Sequence, residues 1–153
     1  MNIKLLPYTW KKTLEMDDAT AMAFSASDRA LKPYSPGNVK VNGQAWPDGA
    51  TYAGNVTLTW AHRNKYAQEL RDIVHQDAGS DPAGPEGTYT IEVLIGGVVK
   101  RTIAELETES YVYTVANRTT DDADLSKWTQ FRISAIFGET ASNPRTTDQF
   151  KMA

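Results

Sequence analysis

The 153-residue chain contains no cysteine. That absence removes disulfide staples, thiolate zinc sites and cysteine nucleophiles together. Histidine is scarce too, with only His62 and His75. These two, with Asp72 or Asp77, would make a metal site only if the segment between them folded back. On a helical reading of that segment they face different directions, so both are read as exposed loop histidines. No apolar run approaches the roughly 18 residues that a membrane-spanning helix needs. The opening "MNIKLLPYTWKK" carries Pro7 in its short apolar run and no small-residue cleavage site, so it is not read as a cleavable leader. Positive charge is not in excess: 16 Lys and Arg stand against 19 Asp and Glu, and the net charge of -3 is spread along the chain. A nucleic-acid partner is therefore not expected, because neutralising phosphates takes clustered cations.

Catalytic signatures are missing as well. No pair of carboxylates is placed to span a cleft, and no nucleophile–base pattern occurs. The run "TTDDADLS", residues 119–126, offers oxygen ligands but lacks the spaced acids and glycine of a calcium loop. Thr120 followed by Asp121, Asp122 and Asp124 reads instead as a capped helical turn. No catalytic residue, cofactor or bound metal is expected.

What is present is alternation. "YTIEVLIGGVVKRT", residues 89–102, alternates apolar and polar side chains on both sides of Gly96-Gly97, the mark of a tight hairpin. "NVTLTW" puts Val56, Leu58 and Trp60 on one face, and "TQFRISAIF" aligns Phe131, Ile133, Ala135 and Phe137. "NVKVNG" and "SYVYTV" read as further strands. Strands at this spacing predict an all-β antiparallel sandwich over residues 36–153. The long stretch 61–87 falls between the second and third of these strands as an insertion, a length that usually serves a function. Within it Tyr66, Leu70, Ile73 and Val74 have the spacing of a short amphipathic helix; an irregular loop pinned by the same residues is the alternative. Residues 1–35 read as an extended N-terminal arm and a linker, "LKPYSPG", stiffened by Pro33 and Pro36.

The order "VTLTW", "YTIEV", "GGVVKRT", "SYVYT" and "FRISAIFGETASNP" resembles a fibronectin type III domain. The chain departs from that family at the corner tyrosine, whose position is Thr129 with Trp128 beside it, and Trp128 is expected to cover that end of the core instead. A narrower likeness lies in "LKPYSPGNVKVNG", "VTLTWAHRNK" and "GPEGTYTIEV", which are similar to the carboxy-terminal region of tail-tip and tail-hub proteins of tailed bacteriophages. That likeness implies a fibronectin-like module of a longer virion protein. It would be non-catalytic, would serve tail assembly or host-surface attachment, and would work in an oligomer beside other tail proteins. A host receptor or glycan is an implied partner. The alternative is an accessory carbohydrate-binding or spacer sandwich of a bacterial secreted enzyme.

Candidate contact residues follow from aromatics off the strands and from a modest basic patch. Trp10, Tyr34 and Trp46 lie in the arm, the linker and the loop after the first sandwich strand. His62, Arg63, Lys65 and Arg71 gather at the start of the insertion. For the basic residues, pairing with Glu69, Asp72 or Glu86 inside the insertion competes with a partner role. Arg63 has a further reading, since its planar fork can clip the insertion to the sandwich.

Overall fold

The computed structural model describes residues 2–4, 21–23, 31–69 and 74–153. It divides into two compact units, Met1–Leu31 and Lys32–Ala153. In the first, β1 (Asn2–Lys4) pairs antiparallel with β2 (Ala21–Ala23). Trp10 lies outside the described residues, as do Leu70, Arg71, Asp72 and Ile73. The linker prolines fall in the second unit, where Pro33 and Pro36 are buried. Ser35 Oγ donates to Asn143 O at 2.7 Å there.

The second unit is an antiparallel sandwich. One sheet has the order β3 (Gly37–Val41), β5 (Val56–Ala61), β8 (Ser110–Tyr113). The other runs β10 (Thr140–Ala141), β9 (Thr129–Phe137), β6 (Thr88–Ile95), β7 (Val98–Leu106), with β11 (Arg145–Thr146) also on β9. The β6–β9 ladder keeps one register from Thr88 opposite Ile136 to Ile95 opposite Thr129. Period-two burial follows the sequence pattern: Tyr89, Ile91, Val93 and Ile95 of β6 point inward, facing Val56, Leu58 and Trp60 of β5. The sheets are joined by aromatic edges, Trp60 to Tyr89 at 5.5 Å and Tyr113 to Phe131 at 5.9 Å. Each fully buried large apolar side chain contributes about 1.5–3 kcal/mol. The hairpin between β6 and β7 is the two-residue kind, with Gly96 and Gly97 at φ 58° and 81°. No helix among the described residues is long and apolar enough to cross a membrane.

Three local expectations need correction. Phe137 does not join the core; it is exposed at the end of β9, edge-on to Tyr66 at 6.0 Å. The helix near residue 120 starts earlier than its polar run suggests. It is α2 (Val115–Asp121), and Thr114 is its cap, accepting from Asn117 N at 3.1 Å. Thr120 lies in its last turn and donates to Ala116 O, so Val115 is helical and β8 stops at Tyr113. Trp128 does not close the core beside Thr129. It is half-exposed under Lys151 Nζ, and Phe150, fully buried, fills that end. Phe150 exchanges backbone hydrogen bonds with Thr129 and sits 5.3 Å from the Phe131 ring. Just beyond it, β12 (Lys151–Met152) runs parallel to β4 (Thr51–Tyr52) and buries Met152.

Candidate binding site

The insertion leaves β5 at Ala61, and the residue that organises it is Arg63, only 4% exposed. Its Nη1 donates to His62 O (2.8 Å) and Gly79 O (2.9 Å). Its Nη2 donates to His75 O (2.9 Å), Gln76 O (3.0 Å) and Ala78 O (3.0 Å). Five carbonyls thus converge on one planar cation, a geometry that lysine cannot reproduce. Burial pulls the guanidinium below its ordinary pKa, while the Asp81 carboxylate pulls it back up. Of the two readings open for Arg63, the geometry is that of a clip. The side chain is turned inward and offers nothing to a partner.

The strand opposite makes room for this clip. A Cβ on Gly37 would lie 2.1 Å from Arg63 Nη2, so only glycine lets β3 begin there. Gln76 Nε2 donates to Pro36 O (2.8 Å), and Asn38 N donates to Gln76 O (2.7 Å). The far end of the insertion is fastened as well. Asn64 Nδ2 reaches Gly84 O, and Asn64 Oδ1 accepts from Ala67 N in α1 (Lys65–Glu69). Lys65 N donates to the Glu86 carboxylate. Gly87 passes so close to Ile136 O that a Cβ would meet it at 2.1 Å.

His62 is likewise spent inside the fold. Its ring stacks on Tyr89 and its Nδ1 lies 2.8 Å from the Tyr89 hydroxyl, while Nε2 faces Glu109 Oε1 at 3.7 Å. Burial, reinforced by Glu109, pushes the Tyr89 hydroxyl up to about 12. It keeps its proton at neutral pH, and its hydrogen bond with Nδ1 ties the imidazole to β6. His75 is exposed beside Asp77, so the two histidines do not share a site. Among the described residues no group of three or more His, Asp or Glu could hold a metal ion.

The "TTDDADLS" loop is organised by a buried cation of the chain itself. Arg118, fully buried, donates to Asp122 O and, at 2.7 Å, to Asp124 O. The Asp122 carboxylate turns to Lys127 at 2.8 Å. Asp121 accepts both Arg101 Nε and Nη2 at 2.8 Å and the Tyr113 hydroxyl at 2.7 Å.

Among the described residues the exposed candidates are Tyr34 and Trp46, and Trp46 lines a depression. Its flanks are firmly held. Val41 and Gln44 exchange backbone hydrogen bonds around the Asn42-Gly43 turn, and Gln44 Oε1 accepts the Tyr52 hydroxyl at 2.6 Å. On the other side Pro47 is buried and Gly49 N donates to Gln149 O. Between these anchors the indole stands 77% exposed. The depression it borders has room for only a few waters, about 40 Å³. Asn38, Val39, Asp77, Arg145 and Asp148 complete most of its rim. Asp77 belongs to the very segment that Arg63 clips. Sequence reading missed Asn38, Arg145 and Asp148, which come from β3 and the C-terminal stretch. The only signal was Trp46 set before a Pro-Asp-Gly turn.

No protein-family model matches the chain, and no curated protein matches it in sequence.

Proposed function

We propose that this chain is a non-catalytic structural and binding module of a bacteriophage tail tip, built on a fibronectin type III-like sandwich. The observation that carries the proposal is the junction around Arg63. The three stretches similar to tail proteins are the linker into β3, the end of β5, and the Gly-Pro-Glu-Gly lead into β6. The first two meet through Gln76, to which Pro36, Asn38 and Arg63 all bond, and the second and third are bonded directly, Asn64 and Lys65 to Gly84 and Glu86 and His62 to Tyr89. Motifs that meet in space serve one structural purpose, which fixes the linker and the insertion on the sandwich. Fold alone would not carry this reading, since sandwiches of this kind host many tasks.

The experiment is immunogold labelling of purified phage particles with antibodies raised against the full chain. Label confined to the end of the tail distal to the head is the expected result. Particles from a producing host that carry no label would refute the assignment. The second reading, an accessory carbohydrate-binding sandwich of a secreted enzyme, is favoured by one observation, the exposed Trp46 at a groove.

A further inference from the structure

We infer that the groove beside Trp46 is a binding site for a neutral saccharide, which rests on the binding half of the reading above and holds for either parent protein. The first ground is the indole itself. A tryptophan left 77% exposed is carried by a backbone bonded on both sides, so its place on the surface is held while its indole face stays open to a ligand. A rigid aromatic surface of this kind contributes large contact area at little entropic cost.

The second ground is the polar rim. Asp77 and Asp148 present carboxylate acceptors, Asn38 an amide and Arg145 a guanidinium. Arg145 and Asp148 have no side-chain partner among the described residues, and Asp77 makes only a loose 3.7 Å approach to the exposed His75. Acceptors and donors left free around an indole suit a ring with apolar C–H faces and hydroxyls at its edge. Two carboxylates against one guanidinium leave the rim net negative, which disfavours an anionic sugar.

The third ground is shape. The depression, about 40 Å³, is too small to enclose a sugar, so a ligand ring would rest across its mouth against the indole, as suits one unit of a longer chain. A protein partner is the lesser fit, because the centres of protein interfaces are depleted in charge and this lining carries Asp77, Arg145 and Asp148. Each wall is also fixed from behind. Arg63 holds the Asp77 segment, the Val41–Gln44 turn holds Trp46, and Thr147, next to Arg145 and Thr146, bonds Phe131 through both its N and its Oγ1.

The test titrates the full chain with maltotriose, cellotriose and chitotriose, with trigalacturonate as the anionic control, and follows the heat of binding by calorimetry. At least one neutral trisaccharide should bind saturably and more tightly than trigalacturonate. Trp46→Ala should weaken that binding about tenfold or more, since aromatic anchors carry most of the contact energy. Asp77→Asn and Asp148→Asn should each weaken it about threefold or more. The thermal melt of Trp46→Ala should match the parent, because the side chain packs on so little. Failure of all three neutral sugars, preference for trigalacturonate, or binding that survives Trp46→Ala would overturn the inference. If Trp46→Ala instead abolishes only self-association in sedimentation, the patch belongs to a protein contact; the saccharide inference then falls while the tail-module reading stands.

Discussion

Replacing Arg63 separates a clip from a contact residue, and the structure sets the size of the effect. The guanidinium donates to five carbonyls at 2.8–3.0 Å from a site that is 4% exposed. A hydrogen bond from a charged donor is worth about 1.5–3 kcal/mol, but bonds sharing one cation do not add. Arg63→Met keeps the length and strands all five carbonyls. The expected loss is about 3–5 kcal/mol, as for breaking a buried charged network, out of a typical total of about 5–15 kcal/mol. Arg63→Lys keeps the charge and at most three donors, so it should lose about 2 kcal/mol and still fold. Urea melts give the totals, and amide hydrogen exchange on the lysine variant locates them. Protection should fall at Asn38, Ala78 and Asp81, whose amides bond Gln76 O, His75 O and His62 O, while the β6–β9 ladder keeps its protection. A loss below about 1 kcal/mol for Arg63→Met, with unchanged exchange at those three amides, would refute the clip.

Trp60→Ala should cost about 3–5 kcal/mol in denaturant melts, because the ring is 4% exposed between the sheets; a loss below about 1 kcal/mol would contradict its place in the core. Gly87→Ala should cost about 2–4 kcal/mol, since its Cβ would meet the Ile136 carbonyl of β9, whereas Gly79→Ala, with open space around it, should change little. Burial would raise the Asp121 carboxyl, but hydrogen bonds from Arg101 and Tyr113 outweigh it and hold the folded pKa below the ordinary value. Its stabilisation is therefore full above the unfolded value near about pH 4 and is lost as pH falls through the lower folded value. Asp121→Asn should accordingly flatten the acid limb of stability against pH; an unchanged acid limb would show that this carboxylate is not the group responsible.

Strands β5, β6 and β9 were legible because one face of each is buried. The alternation in 89–95 and 56–60 appears unchanged as the inward faces of β6 and β5, and the Gly-Gly hairpin sits where its glycines put it. Local chemistry misled where a better partner lay upstream. The acidic run after Thr120 looked like a helix start, yet Thr114 caps the helix and the acids serve Arg101, Lys127 and the loop. Phe150 and Met152 had no visible pattern, because Phe150 sits on a single bridge to Thr129 and β12 is two residues long and pairs with β4 about a hundred residues earlier in the chain. Arg118 and Arg63 run against the expectation that arginine stays in water, and only their convergent carbonyls explain their burial. The groove was legible only at Trp46. Its other walls come from segments far apart in sequence, and no local signal joins Asn38 and Asp77 to Arg145 and Asp148.

The most direct measurement is an electron cryomicroscopy map of the tail tip of particles that carry this chain. The expected map shows the sandwich at the distal end, the 75–79 segment closed over Arg63, and the Trp46 groove facing solvent. A map in which the tail tip lacks the sandwich would contradict the assignment of this chain to the tail tip, and one in which the Trp46 face is buried between tail subunits would contradict the saccharide site alone.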